Sequence, residues 1–461
     1  MKTTIFTISF TLALALTQAN SLLTAPQIGQ PFTTGTISDI ELVSNGIDVA
    51  LIIANSSTGK LYAIDINDNN PADTTTNAIT QIPNFKAEVE AHLGFTVTIQ
   101  NFEVNPISKS VYVLVYNASG TRYIVVVKNS GADFTTLDLT NVHYATINFT
   151  NSDFLIQDMS WGNNKLYISS ASGWTLEGEI GTITAPFAHN SSTINRSTSM
   201  FKSNWGGSYW TEAPLEKLDF ATINSKDRLV GVTVCAPGFS IETSFISGTG
   251  ILQVQEQFNV NASPPLKVVA AKQNDITYLF DLHLSSGGNV LIRIGEKYID
   301  GSRILANEYN NNRKMLRDNS GNPASGLIDS DVKIYNGENF KMIAYYTDYE
   351  LLVLDDNDIL RLFKTGSPLQ QPTDIKSGSN IAKNITVYPN PTQEWISIHY
   401  PDNLPEKSKV IIYTLDGKEV YNETLLAKDQ QISITSLKSG IYLICVLSNN
   451  QKMFQDRLVV N

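Results

Sequence analysis

Asp281 and His283 stand two residues apart in YLFDLHLSSGG, a spacing that puts both side chains on one face of a β-strand. A carboxylate beside an imidazole can orient the ring and tune its proton affinity, as a general base requires. The plainer reading is a strand that shows two polar groups to solvent. A second candidate is SNWGGSYWTEAP, where Trp205, Tyr209 and Trp210 flank a Gly-Gly step and Glu212 follows. Such a surface stacks on sugar rings or anchors a protein partner, because aromatics offer large contact area at small entropy cost. The alternative is a long loop folded over its own tryptophans. The third is DINDNNPAD, where Asp65, Asn67 and Asn69 alternate as oxygen ligands do at the start of a calcium loop. Asn70 stands where that loop needs glycine and Thr76 where it needs a bidentate glutamate, so an Asx-rich turn competes. LDDNDIL, with Asp355, Asp356 and Asp358, reads as a hairpin turn.

Linear catalytic signatures are absent: there is no H-E-x-x-H, G-x-S-x-G, phosphate loop or paired C-x-x-C. The histidines, at 92, 143, 189, 283 and 399, occur singly. No cofactor is predicted, and calcium is the one the sequence leaves open. Cys235 and Cys445, the two cysteines, are far apart and fall in different expected domains; they could form one disulfide at most, so this is no disulfide scaffold. Cys235 has Arg228 as its nearest cation and no local histidine to favour a thiolate, so core packing is expected. Cys445 shares the parity of Ile441, Leu443 and Leu447, which predicts a buried thiol on the apolar face of a strand.

The elements that must position these residues are β-strands. Over 461 residues only 17% are charged, and short Asn, Thr and Ser clusters separate apolar runs, a mixture suited to strands and polar turns. A net charge of −11 argues against nucleic acid or an anionic membrane surface as partner. Lys2, the apolar run Ile5 to Leu16 and Thr17-Gln18-Ala19 have the layout of a secretory leader, with the mature chain starting near Asn20. No later segment is long and apolar enough to cross a bilayer.

From residue 20 to 365 one unit recurs: a β-run, a small-residue turn and a second β-run. The turns fall at Gly59, Gly120, Gly173, Gly238, Gly288 and near Asp348, at intervals of 50 to 65 residues. That period predicts a β-propeller of six blades, with runs such as NFEVN and IQDMSW as inner strands. Seven blades is the alternative if a degenerate one lies around 196–215; solenoids and stacked sandwiches fit the period less well. NFKAEVEAHLGF, with Asn84 as cap and Gly94 as stop, predicts a helix between blades, with His92 exposed on it.

Residues 366–383 are a polar Pro/Ser/Gly linker, and 384–461 read as strands of a small β-sandwich. This tail resembles the type A C-terminal sorting domain of the type IX secretion system. The resemblance rests on Tyr388-Pro389-Asn390-Pro391, on Leu415-Asp416-Gly417-Lys418, on Leu437, Gly440 and Tyr442, and on the closing Leu458-Val459-Val460. The final Asn461 departs from the basic residue frequent there. The resemblance implies a bacterial protein carried across the outer membrane by that machinery, then released or attached at the surface. The body between 154 and 295 is similar to an uncharacterised family of secreted propellers, through IQDMSWGNNKLYISSAS, WTEAPLEKL, RLVGVTVCAPGF and LSSGGNVLIRI. That likeness speaks to fold only. Two function classes stay open: a binding module for a polysaccharide or surface protein, and an extracellular hydrolase or lyase working at the channel mouth. Carboxylates or histidines from several blades meeting at one mouth would favour the second.

Overall fold

A computed structural model describes residues 21–32, 37–149, 154–172, 177–202, 208–210, 214–233, 237–248, 250–259, 264–284, 288–299, 332–335, 338–366, 385–399, 408–414, 418–448 and 451–461. The predicted leader, Trp205, Glu212, Cys235, Asp416 and Gly417 lie outside these residues. The chain divides into two compact units, Met1–Pro368 and Leu369–Asn461.

The first unit is a six-bladed propeller. Its innermost strands are β1 (Ile37–Ser44), β2 (Val97–Val104), β3 (Phe154–Gly162), β4 (Leu215–Ile223), β5 (Pro265–Gln273) and β6 (Phe340–Thr347), each opening a four-stranded antiparallel blade of the same number. Among the described residues of 196–215 there is no seventh blade; Ile194–Lys202 is the outermost strand of blade 3, and Ser208–Trp210 pairs with it. Blades 3, 4 and 5 join their first two strands through Asn163-Asn164, Asn224-Ser225 and Asn274-Asp275, all at positive φ. Two-residue turns of this kind match the right-handed twist of paired strands, and Asn and Asp tolerate the conformation best.

The blades do not follow chain order around the ring. β1 packs between β2 and β3, and β6 packs between β5 and β2, so the circuit runs 2–1–3–4–5–6. The cause is the source of the outer strands. After the third strand of blade 1 the chain supplies Gln81–Ile82 as the outermost strand of blade 6, then builds blade 2. It returns to give blade 1 its fourth strand, Val142–Asn148. Two blades are thus closed by segments distant in sequence. The predicted hairpins are all present, but the one near Asp348 joins the first and second strands of its blade, whereas the other five join the second and third.

Six apolar clusters, one at each blade boundary, hold the ring. Val111, Val113, Val115, Ala344 and Leu352, for example, seal blade 2 against blade 6. Sheet strands covered on both sides need no polar alternation, and VALIIAN is accordingly buried throughout. The predicted helix, α1 (Phe85–Leu93), ends at Gly94, whose φ of 80 closes it with an N–H to Glu90 oxygen bond. Asn84 precedes it in a left-handed conformation without a side-chain cap bond.

The second unit is a sandwich of a three-stranded and a four-stranded sheet over Ile396, Ile398, Val410, Ile412, Ile444 and Val446. Cys445 is buried, but on the opposite parity from this core: Tyr442, Ile444 and Val446 face it, while Ile441 is 45% exposed. Asn390 fastens the Pro-Asn-Pro turn to the last strand. Its Oδ1 accepts the Val459 N–H at 2.8 Å and its Nδ2 donates to the Arg457 carbonyl. Tyr388 is exposed, and Tyr442 donates its hydroxyl to the Lys438 carbonyl at 2.7 Å.

Candidate functional site

Every innermost strand carries a β-bulge near its start. Register shifts fall between Ile37 and Asp39, Ile99 and Asn101, Ile156 and Asp158, Leu215 and Lys217, Pro265 and Lys267, and Phe340 and Met342. A bulge re-aims the side chains beyond it. The residues that follow form one layer: Asp39, Asn101, Asp158, Lys217, Lys267 and Met342. Two positions on come Glu41, Glu103, Ser160, Asp219, Val269 and Ala344. Five of the six blades therefore bring polar or charged groups to one end of the channel.

Lys267 of blade 5 is the hub. Its Nζ lies 2.9 Å from Glu103 Oε1 of blade 2 and 3.7 Å from Asp158 Oδ1 of blade 3. Burial opposes the charge on Lys267, but Glu103, Asp158, Glu41 and Asp39 outweigh it and hold its pKa well above the usual lysine value. Burial, then the charge of Asp158, pushes Asp39 up to about 6 despite Lys267 and Lys217. Burial and Glu103 raise Glu41 well above the ordinary glutamate range. Burial also raises Glu103, which Lys267 partly offsets. Both glutamates are thus raised above the ordinary range, and Glu103 is the one that is ion-paired to Lys267.

Some of these groups also join blade to blade. Asp158 accepts the Leu218 N–H of blade 4 at 2.9 Å. Asp219 accepts the Ser160 hydroxyl of blade 3 at 2.8 Å and the Ala270 N–H of blade 5 at 2.7 Å. Asn101 donates to Asp39 at 2.7 Å and Lys217 to the Gln157 carbonyl at 2.8 Å. Glu41 makes no side-chain hydrogen bond or ion pair among the described residues, although its charge is coupled to those of Glu103 and Lys267. Replacing Asp219 by alanine removes the acceptor of the half-buried Ala270 N–H, so stability is expected to fall by about 1 kcal/mol in urea denaturation.

The described residues among those singled out from sequence are not in these two layers. Asp281 and His283 are 3.2 Å apart on the second strand of blade 5, and neither has exposed surface, unlike the solvent-facing strand that was the alternative expectation. Tyr209 and Trp210 flank the outermost strand of blade 3, away from the channel. Tyr209 is 37% exposed and packs edge-on against Phe201. Asp65 Oδ1 caps the Asn67 N–H at 3.0 Å, while Asn69 turns to Asp48 at 3.0 Å, the pattern of an Asx turn. Among the described residues no three His, Cys, Asp or Glu side chains are grouped to hold a metal. Sequence reasoning missed the channel residues, although a signal was present. ISDIEL, IQNFEV, IQDMSW, LEKLDF, PLKVVA and FKMIAY repeat an apolar-x-x-apolar frame with the channel groups at its third and fifth places.

The fold defines the class, an all-β propeller followed by a small sandwich. Residues 386–461 match the family described as secretion system C-terminal sorting domain. The protein is a bacterial one, secreted or attached at the outer-membrane surface, and the tail implies contact with the type IX machinery. Among the described residues no helix is long and apolar enough to cross a membrane. A curated relative, an ulvan lyase of Nonlabens ulvanivorans, is 33% identical over 92 residues, which is 20% of this chain and 17% of that protein. The extracellular domain of a one-component system from B. thetaiotaomicron is similar at 11% identity and a TM-score of 0.23, covering 94% of this chain and 75% of that one. The WD40 domain of SCAP from fission yeast is similar at 10% identity and a TM-score of 0.24, covering 92% and 74%.

Proposed function

We propose that the exported propeller is a recognition module that binds a polysaccharide at the charged end of its channel. The observation that carries this reading is the convergence of Glu41, Glu103 and Lys267 from three blades. Carboxyl oxygens accept sugar hydroxyl protons and the ammonium donates to ring and hydroxyl oxygens, while Glu41 has no hydrogen bond among the described residues to give up. Asp39, Glu41, Glu103, Asp158 and Asp219 outnumber Lys217 and Lys267, which favours a neutral or cationic polymer over a polyanion. Tyr209 and Trp210 offer an accessory aromatic surface away from the channel. A glycan array probed with the exported protein and with Glu41→Ala tests the reading. Array binding that Glu41→Ala abolishes supports it. No glycan binding at all sinks it and turns attention to a surface protein.

A second reading is favoured by two channel carboxyls in different settings: Glu41, raised by burial and Glu103, and Glu103, ion-paired to Lys267. Acid–base cleavage of a glycosidic bond uses two carboxyls whose surroundings separate their proton affinities. Soluble oligosaccharide released from any polymer the array identifies would make the protein a hydrolase or lyase. An unchanged polymer leaves binding as the role. The 92-residue likeness to the lyase is too short to contain the ring, so it adds nothing to this second reading.

A further inference from the structure

At the charged end of the channel one ammonium serves several carboxyls. Glu103, Asp158, Glu41 and Asp39 all act on Lys267. Lys217 acts on Asp39 as well, but donates to the Gln157 carbonyl at 2.8 Å. Two cations do not neutralise the carboxyls around them, and a buried carboxyl short of counter-charge keeps its proton instead. Burial first, and then neighbouring carboxyls, push Asp39 up to about 6 and Glu41 well above the ordinary range. Glu41 faces Glu103, Asp219 and Asp158, with Lys267 as the cation that offsets them.

A second observation concerns hydrogen bonding. The bulges that open blades 2 and 4 each leave one extra residue, Gln100 and Glu216. Gln100 Nε2 donates at 2.6 Å to the carbonyl of Ser38, the extra residue of the blade 1 bulge. Glu216 is close enough to Asp158 to feel its charge. Gln100 Oε1 and Glu216 Oε2 are buried, and neither has a hydrogen-bond partner among the described residues. Buried polar atoms are seldom left that way. Both are acceptors, as are the carboxyl oxygens of Glu41, whereas Lys267 and Lys217 already have protein acceptors. This ring of bulges is short of a donor that carries positive charge.

We propose that the ligand of the channel is a polymer of amino sugars with free primary amines, and that one of its ammonium groups seats beside Glu41 as the missing counter-charge. The inference rests on the polysaccharide reading and narrows it. An ammonium brings three N–H donors to a site supplied with acceptors. Its charge takes the place of protons on Asp39 and Glu41, which leave to the solvent. An N-acetyl group at the same position offers one N–H and no charge, so acetylation of the same sugar removes the match.

Calorimetric titration of the exported protein compares two β-linked glucosamine oligomers of equal length, one with free amines and one fully N-acetylated. A mildly acidic buffer keeps the amines charged. The free-amine oligomer is expected to bind about tenfold or more tightly. In Glu41→Gln that preference should shrink to about threefold or less. Glu88→Gln removes one carboxylate from an exposed position on α1 and should leave the preference intact. An equal loss in both variants overturns the proposal, because the amines would then be drawn only to a protein of net charge −11. Equal affinity for the two oligomers also overturns it, and leaves the polysaccharide reading standing if Glu41→Gln weakens both. Binding of neither oligomer, with array hits confined to sugars without free amines, overturns this proposal alone. No glycan binding of any kind ends both readings. Should Glu41→Gln fail to fold, Asp39→Asn is judged by the same criterion.

Discussion

Replacing Lys267 by methionine is expected to destabilise the propeller by about 3–5 kcal/mol near pH 8, because it strands several channel carboxylates without their counter-charge. The deficit should shrink toward pH 5, and the sign follows from linkage. Asp39, Glu41 and Glu103 all have folded-state pKa values above their unfolded ones, and Asp39 reaches about 6. The folded state therefore holds more protons than the unfolded chain through that window, and their contribution is lost as pH rises through the folded values. Lys267, itself raised, stays charged throughout and offsets the loss. Without it the carboxyls must stay protonated or repel one another, so the variant's stability falls more steeply above about pH 6 than the parent's. Urea denaturation at the two pH values checks this. A deficit equal at both, or below about 1 kcal/mol, would mean that water enters the channel and screens the cluster.

Gly231→Ala is expected to be nearly as damaging, for a steric reason. Gly231 is on the second strand of blade 4, and a Cβ there would lie 2.0 Å from the Lys217 carbonyl oxygen and 2.9 Å from Leu218 Cα. Both are backbone atoms of β4, so no rotamer change relieves the clash. The strand that carries Lys217 and Asp219 must move, and with it the contacts Asp219 makes to blades 3 and 5. A loss of about 3 kcal/mol or more is expected, with weaker ligand binding at the channel. An alanine tolerated within about 0.5 kcal/mol would show that β4 can shift without disturbing its neighbours.

The propeller was legible in the sequence because its hairpins repeat. DVALIIANSSTGKLYAIDI and its counterparts are buried on both faces, and their apolar runs and small-residue turns stand out at a steady interval. The ring order was not legible. It depends on which distant segment completes a blade, and Gln81–Ile82 and Val142–Asn148 look like ordinary short strands until they are paired. The channel was hidden for a related reason. Asp39, Glu103 and Lys267 are 64 or more residues apart, and each alone reads as a polar residue between apolar ones. Only the shared bulge, a property of strand pairing, turns them to one end. For Asp281 and His283 the shared strand face was legible from their spacing, but not that the sheet would bury both.

The most direct test of the central claim, that ligand binds at the charged end of the channel, is calorimetric titration of an array-selected glycan into three proteins. These are the exported parent, Glu41→Ala and Trp210→Ala. A loss of about tenfold or more in affinity is expected for Glu41→Ala and of less than about threefold for Trp210→Ala. Full affinity in Glu41→Ala with a large loss in Trp210→Ala would contradict it, and would move recognition to the outer edge of blade 3.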